Sequence, residues 1–446
     1  MRKGLAWATM LLALPCLAIG QGQKMPPLPP PTPPAAAPTP ATNAPTKLSL
    51  EEAIRLALQH NHALLAARTT ILQNQAEEVT ANLRPNPTLS WDSQFFPLFN
   101  PSQFSADYLE NQAQFDVGIS YLIERGKKRQ HRLQAAKDQT AVSRSTVTDN
   151  ERTLIFNTSQ QFISVLLAQS SLDLAKQDAE SFQQTVNISE ARYKTGDMSE
   201  SDLLKIKLQL LQFQGDLSAA KLAKIQALAG LRQFIGFESV TDDFDVTGDL
   251  EYKPVHADLQ ALKGLAAQDR PDLRAAQEGV TAARSQEALE RANGKKDLGV
   301  SFDYTHTAGI NSGAFFFNID LPIFDRNQGE IAKARFAITQ AEETAIETAQ
   351  QVNTDILDAY GALRSNDEII QLYQNGYIEQ AKQSRDITEY AYKRGAASLL
   401  DFLDAERTYR SNQLAYRQAL ASYMTALEQM EGQPRASSTP RGSDRL

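Results

Sequence analysis

The chain has 446 residues, of which 42% are hydrophobic and 22% are charged, and its formal net charge at pH 7 is −8. This acidic balance gives no indication of nucleic-acid binding, which relies on basic surfaces. Cys16 is the single cysteine, so a disulfide within one chain is excluded.

The N-terminal region predicts secretion. Residues 1–20 combine Arg2 and Lys3, an apolar run, and Ala18-Ile19-Gly20 as a cleavage site, which together are typical of a signal peptide. A lipid anchor at Cys16 is an alternative, although Pro15 stands where such anchors prefer a small residue. Residues 21–47 are rich in Pro and Ala and predict an extended leader. Residues 434–446 predict a disordered tail.

The first half of the mature chain, residues 48–250, combines helical and strand patterns. Residues 48–83 predict a helix capped by Ser49, and residues 126–235 predict a helical hairpin. Between them, two stretches alternate apolar and polar residues with a period of two. We therefore expect strands at about 88–96 and 113–123, joined by a loop.

The second half, residues 251–433, repeats this plan. A helix is expected at 259–293, strands at about 298–306 and 314–323 around a turn at Gly309–Gly313, and a helical hairpin at about 327–432. The sequence therefore predicts two internal repeats in a mainly α-helical chain that also contains four β-strands.

The two hairpins share a turn motif. Tyr193, Gly196, Ser199 and Asp202 recur 199 residues later as Tyr392, Gly395, Ser398 and Asp401. Glycine just after a helix tolerates the left-handed conformation, and serine is a preferred N-cap. Both motifs therefore predict the tip of a helical hairpin. Apolar residues at seven-residue spacing along the hairpins indicate coiled-coil packing, among them Val165, Leu172, Val186, Phe402, Tyr409, Tyr416 and Tyr423.

The strands carry aromatic residues on one face and an aspartate on each polar face, namely Asp92, Asp116, Asp303 and Asp320. A soluble sheet with one buried face would show the same alternation. The expected length, about ten residues, also suits a membrane strand. Because no run of 18 apolar residues follows residue 20, membrane insertion would require a β-barrel.

Four strands cannot close a membrane barrel, since such barrels begin at about eight strands. Several chains must then share one barrel, and two chains would supply eight strands and three would supply twelve. The polar faces would place Asp92, Asp116, Asp303 and Asp320 in the lumen, where carboxylates favour cations.

The duplicated plan and the twin Tyr-x-x-Gly-x-x-Ser-x-x-Asp tips resemble the TolC family of outer-membrane efflux channels, over about residues 48–432. The segment Leu321–Gly329 also resembles the heavy-metal-efflux (CzcC-like) branch. The resemblance implies a homotrimer with a 12-stranded barrel in the outer membrane and a periplasmic α-helical tunnel. It further implies docking on a periplasmic adaptor protein and an inner-membrane pump.

The resemblance also implies roles for individual residues. Asp401 and Asp404 match an acidic ring at the periplasmic aperture, and Asp202 is its counterpart in the first hairpin. The tips match adaptor-docking turns through Tyr193, Gly196, Ser199, Tyr392, Gly395 and Ser398. Lys205 and Ala397 depart from the family pattern. Simple helix capping is the alternative role for these acids and serines.

Other signals carry less. The basic segment Arg125–Arg132 would lie where the second strand ends, and either anionic headgroups or solvent could face it. His60 and His62 point apart on a helix, so they do not predict a metal site. No enzymatic motif or cofactor site is present.

A coiled-coil scaffold of the cell envelope is the alternative to an export duct. Within the family, the cargo could be metal ions, drugs or a secreted protein.

Overall fold

The structure is a computed structural model that describes residues 47–432. The predictions for the signal peptide, for Cys16, for residues 21–46 and for the tail lie outside the described residues. Lys47, assigned to the leader, instead forms strand β1 (Lys47–Leu48), which pairs in parallel with β4 (Asp245–Val246).

The described chain is mainly helical with few strands, as predicted. The first half contains α1 (Leu50–His60), α2 (His62–Ala81), β2 (Thr88–Gln94), α3 (Ala106–Asn111), β3 (Gln114–Ile123), α4 (Lys128–Lys194) and α5 (Glu200–Ile235). The second half contains α6 (Leu259–Asp269), α7 (Pro271–Asn293), β5 (Leu298–Thr307), β6 (Ile310–Ile319), α8 (Gln328–Leu372), α9 (Ile378–Lys393) and α10 (Leu399–Gly432). The segment 97–112, expected as a loop, contains the short helix α3.

The helix predicted over 48–83 is interrupted at Asn61. The Asn61 side chain caps α2 by accepting a hydrogen bond from the Leu64 N–H, at 3.0 Å. Its amide also donates to the Phe234 carbonyl at the end of α5, at 3.1 Å. Asn61 adopts an extended backbone with ψ of 111°, and its side chain supplies a cap and a long-range contact, so the prediction of one uninterrupted helix was wrong.

The helix predicted over 259–293 is interrupted at Arg270, because Pro271 disfavours the helical conformation of the residue before it. Arg270 adopts an extended conformation with ψ of 121°. Its buried guanidinium forms ion pairs with Asp272 at 2.5 Å and with Asp355 of α8 at 3.0 Å. Pro271 then occupies the first turn of α7, where proline is well tolerated.

The outgoing helix of the second hairpin, expected over 328–394, is also interrupted. A π-helical turn at Tyr373–Tyr377 separates α8 from α9. Gly376 has φ of 111° and Asn375 has ψ of 18°, and neither angle fits an α-helix. In contrast, α4 continues for 67 residues, which corresponds to about 100 Å at 1.5 Å per residue.

The four long strands form one antiparallel sheet in the order β2-β3-β5-β6. Strand β6 begins at Ile310, four residues before the predicted start. The reason is that the turn contains only Ala308 and Gly309, with φ of 51° and 75°. Two consecutive positive φ values are typical of a tight hairpin turn, so pairing starts directly after it.

The helices continue the order of the strands. At one end of the sheet α2 packs against α4, α4 against α7, and α7 against α8, while these helices flank β2, β3, β5 and β6 respectively. Towards the tips, α5 packs against α4, α4 against α10, and α10 against α9. Within residues 47–432, no helix combines the length and the apolar character that crossing a membrane requires.

Candidate functional site

The register of the sheet separates two chemically different faces. In antiparallel pairs, directly opposed residues point to the same side. Leu89, Ile119, Phe302 and Phe315 are opposed in one row, and Ser90, Gly118, Asp303 and Ala314 form the neighbouring row. One face therefore carries most of the apolar residues and the other most of the polar ones.

The polar face brings three of the four predicted aspartates together. Asp92 is directly opposite Asp116, and Asp303 is opposite Gly118, two residues further along β3. A Cβ on Gly118 would collide with the carboxylate of Asp303 and would lie 2.6 Å from Ser90 Oγ. Gly118 therefore leaves the space that Asp303 occupies. Asp320 lies one residue beyond the end of β6.

The opposite face is apolar and exposed to the outside of the chain. Its large exposed residues include Leu89, Trp91, Val117, Ile119, Phe302, Tyr304, Phe315 and Phe317. An exposed apolar area of this kind marks a surface that other apolar material covers. The edge strands β2 and β6 each have one neighbour in the described sheet, so their outer backbone groups can pair with a further strand.

The two hairpin tips have the same backbone geometry. Gly196 and Gly395 have φ of 84° and 77°. After each helix, an N–H reaches back over five residues, from Asp197 to the Arg192 carbonyl at 2.9 Å and from Ala396 to the Ala391 carbonyl at 2.8 Å. This is the Schellman arrangement that glycine favours at the end of a helix. The hairpin turns predicted from the motif are therefore present.

The tip residues differ in exposure. Tyr193 is 41% exposed, whereas Tyr392 is 7% exposed and stacks on Phe402 with ring centroids 5.3 Å apart. Nothing lies within 4 Å of a Cβ placed on Gly196 or Gly395. Within this chain the glycines are thus needed for their positive φ, as expected of glycine just after a helix. Ser199 and Ser398 cap the returning helices α5 and α10.

Each predicted aperture acid makes a local contact. Asp401 accepts hydrogen bonds from the side chain of Ser398 at 2.7 Å and from its N–H at 3.2 Å, and these bonds lower the pKa of Asp401. Asp202 lies 3.3 Å from Lys205, and Asp404 lies 3.9 Å from Arg407. Asp202 and Asp401 lie in the first turns of α5 and α10, near the positive ends of the helix dipoles, and Asp404 lies one turn further along α10.

Sequence reasoning missed a contact between the tips. Arg192 donates a hydrogen bond to the Tyr392 carbonyl at 3.4 Å, and its guanidinium lies 5.7 Å from the centre of the Tyr392 ring. The sequence repeat contained a signal for this contact. The residue that corresponds to Arg192 in the second hairpin, 199 positions later, is Ala391, so the basic residue occurs in one copy of the repeat only. A basic residue of the first tip thus contacts the second tip.

A buried charge cluster between the hairpins was also missed. Arg410 of α10 contacts Asp178 of α4 at 3.2 Å and Asp216 of α5 at 2.6 Å. Burial raises the pKa of Asp178, against the opposing charge of Arg410, and burial likewise raises the pKa of Glu406. Asp178 lies next to Ala179, which is seven residues after Leu172, and Arg410 lies next to the heptad residue Tyr409. Charged residues beside the coiled-coil positions were therefore the signal that could have predicted this cluster.

Metal ligands do not cluster in the part of the chain that the structure describes: no group of three or more His, Cys, Asp or Glu residues there could hold an ion. His62 instead lies 2.9 Å from Glu238, and it belongs to α2 while His60 ends α1.

Comparisons with known proteins identify relatives of this chain both by sequence and by fold. The chain is 24% identical over 372 residues to the cobalt-zinc-cadmium resistance protein CzcC of Cupriavidus metallidurans, covering 83% of this chain and 85% of CzcC. It is 24% identical over 386 residues to the pyoverdine export outer membrane protein OpmQ of Pseudomonas putida, covering 80% of each chain. The crystal structure of a membrane protein from Pseudomonas aeruginosa superimposes with a TM-score of 0.75 at 18% identity, over 86% of this chain and 92% of that one.

The family comparison covers most of the chain. A sequence profile described as "Outer membrane efflux protein" matches residues 53–237 and 262–432, which include the four long strands and nearly all of the helices. The chain therefore belongs to the outer membrane efflux protein family, whose members are non-enzymatic transport conduits of the outer membrane.

Proposed function

We propose that three copies of this chain close a common 12-stranded barrel in the outer membrane. The observation that carries this proposal is the sheet itself, which has an exposed apolar face and two edge strands that can each accept another strand. In lipid, unpaired edge groups are costly, so pairing β2 of one copy with β6 of the next would satisfy them. Three chains with four strands each supply twelve.

The helices would continue this barrel as a periplasmic tunnel. Their packing order α2, α4, α7, α8 follows the strand order, so closing the barrel would also bring the helices into a ring. Residues 48–250 and 251–433 would be two repeats of one ancestral unit, which the matching tips support.

The polar sheet faces would line the bore. Asp92, Asp116 and Asp303 then lie close together in each chain, and Asp320 follows at the foot of β6. The tips would form the periplasmic aperture, narrowed by Asp202, Asp401 and Asp404. Carboxylates around a common axis attract cations, and we infer a cation-preferring conduit.

The chain would act as the outer-membrane component of a tripartite efflux system, together with a periplasmic adaptor and an inner-membrane pump. Similarity to a cobalt-zinc-cadmium resistance protein and the Leu321–Gly329 segment favour metal cations as the cargo. Similarity to a pyoverdine export protein supports the alternative of an organic cargo, as in drug efflux or protein secretion.

Single-channel recordings in planar bilayers test the conduit. Exchanging Asp92, Asp116 and Asp303 for asparagine should lower the ratio of cation to anion permeability, because three lumen charges per chain are lost.

Exchanging Asp401 and Asp404 for alanine should change the conductance or its block by divalent cations. Permeability and conductance equal to those of the wild type would remove these residues from the conducting path, and a chain that forms no channels would favour the envelope scaffold.

Docking at the tips is tested with Gly196→Asn and Gly395→Asn combined. Asparagine tolerates positive φ, so the turns persist, while a side chain now projects from each tip into open space. In a strain lacking the natural chain, the variant should reach the outer membrane as wild type does but restore less growth on zinc, cobalt or cadmium salts. Full restoration would assign the glycines to turn geometry alone. Growth on metals that never depends on the chain would favour an organic cargo.

A further inference from the structure

A basic groove lies at the foot of β2 and β3, where the sheet meets the helices. It is lined by Arg84, Lys127 and Arg129 together with Tyr121, Leu122 and Ile123. We propose that this basic groove binds the headgroup of an anionic phospholipid in the membrane leaflet nearer the helices. The inference rests on the proposed insertion of the sheet into the outer membrane.

The positive charge of the basic groove is not neutralised within the chain. Arg84 and Lys127 are exposed and Arg129 is partly exposed. In the described part of the chain, their side chains have no carboxylate within the 4.0 Å that defines an ion pair. The neighbouring Glu124 is held by Arg132 at 2.9 Å, and the neighbouring Lys128 is held by Asp297 at 2.7 Å. Three cations therefore remain available to an external anion.

The unusual backbone conformation of Lys127 supports a functional role for its positive charge. Lys127 caps α4 in the left-handed conformation, with φ of 60°. The corresponding cap of α8 is Asn327, with φ of 63°. Asparagine adopts this conformation more readily than other side chains with a Cβ, so lysine is the less favourable choice. Such an outlier is a reason to look for a function of the side chain.

The apolar lining identifies the anion as part of a lipid. Tyr121 and Ile123 belong to the apolar sheet face, opposite Val300 and Leu298 in the register. A phosphate held by the cations would therefore lie directly beside the surface that acyl chains cover. Basic residues near a membrane surface attract anionic lipids in this way. A free phosphate ion would leave the apolar side of the basic groove unused.

The second half of the chain differs at the corresponding cap. Asn327 replaces the lysine, and Lys296 lies 4.0 Å from Asp325. This difference provides a natural variant, because Lys127→Asn copies the residue that the chain itself uses in the same backbone conformation.

Fluorescence quenching by brominated lipids tests the proposal. Trp7 and Trp91 are the only tryptophans, and Trp7 lies in the predicted signal peptide. Trp7→Phe ensures that any unprocessed chain also reports from Trp91 alone. Trp91 lies on the apolar face, three residues into β2, which is about 10 Å from the strand's start at 3.3 Å per residue. The full chain is reconstituted in phosphatidylcholine bilayers, and either phosphatidylglycerol or phosphatidylcholine carries bromine on its acyl chains. The two quenching curves give the relative affinity for phosphatidylglycerol.

We expect at least about a fivefold preference for phosphatidylglycerol at low salt, the effect of one basic residue near an anionic surface. The triple variant Arg84→Gln, Lys127→Asn and Arg129→Gln should lower it to about onefold. A control with Arg144→Gln, Lys221→Gln and Lys382→Gln loses the same charge on exposed helix positions and should keep the preference.

Different experimental results would contradict different parts of the proposal. A triple variant that keeps the preference, or a wild type without one, overturns the lipid site. Loss of the preference when inorganic phosphate is added at constant ionic strength would reassign the basic groove to free phosphate. If neither brominated lipid quenches Trp91, the sheet does not lie in the bilayer, and the proposed function fails together with the inference.

Discussion

Phe315→Arg should abolish assembly of the chain in the outer membrane. Phe315 lies in the middle of β6 on the apolar face, is 74% exposed, and contacts Phe302 with ring centroids 4.9 Å apart. An arginine on the lipid face near the midplane of a membrane barrel costs about 2–4 kcal/mol. Three copies would carry this cost three times, which is comparable with the whole stability of many proteins. Membrane fractionation with immunodetection of the proposed trimer measures the outcome.

The adjacent residue supplies a matched control. Phe316 is 49% exposed and lies in the polar row with Ser301. Phe316→Arg therefore introduces the same side chain one position away but directs it to the opposite face, where water is expected. We expect this variant to assemble. If Phe315→Arg also assembled normally, or if both variants failed equally, the assignment of the apolar face to lipid would be contradicted.

The periodic patterns in the sequence were sufficient to predict that the sheet exists and which residues share each of its faces. Alternation in β2, β3 and β5 indicated which residues share a face, and the observed register agrees with it for Asp92, Asp116 and Asp303. The start of β6 was misplaced because Ala308 adopts a left-handed conformation, which its residue type does not announce. Side-chain period is a local property, but turn conformation depends on how the two strands meet.

The two helix breaks differ in how far local sequence predicts them. The break at Arg270 follows from Pro271, a local signal that was overlooked, whereas the Asn61 side chain bonds to Phe234, which is distant in sequence and cannot be read from a local pattern. The same limit applies to the tips. The motif indicated two equivalent turns, but Tyr392 is buried against Phe402 while Tyr193 is exposed, because α4 packs against α10 and the two hairpins are not equivalent in their neighbours.

The contact between the hairpins depends on Arg410. Its guanidinium lies between Asp178 and Asp216 of the first hairpin and 4.9 Å from the centre of the Phe213 ring. Next to it, Phe182, Phe213 and Phe402 form an apolar cluster that includes residues of both tips. One cation shared between two carboxylates, together with this apolar packing, therefore holds the two hairpins against each other near the tips.

Arg410→Met should destabilise the chain by about 3–5 kcal/mol, the usual cost of removing one partner from a buried ion pair. Arg407→Met, one turn earlier, loses an ion pair whose arginine is 76% exposed and should cost only about 0–1 kcal/mol. The midpoint of thermal unfolding in detergent, followed by circular dichroism, compares the two variants.

The destabilisation should also depend on pH. Burial raises the pKa of Asp178, so its charged form is the costly one once Arg410 is absent. A carboxyl whose pKa is raised by folding stabilises the protein at low pH and loses that contribution as the pH rises through the folded pKa. The deficit of Arg410→Met should therefore be largest at neutral pH and shrink towards acid. Asp178→Asn with Asp216→Asn should rescue the variant at neutral pH, because the two carboxylates that Arg410 pairs are then replaced by neutral amides. A deficit that is independent of pH and not rescued would show that Arg410 acts through packing on Phe213 instead of through its charge.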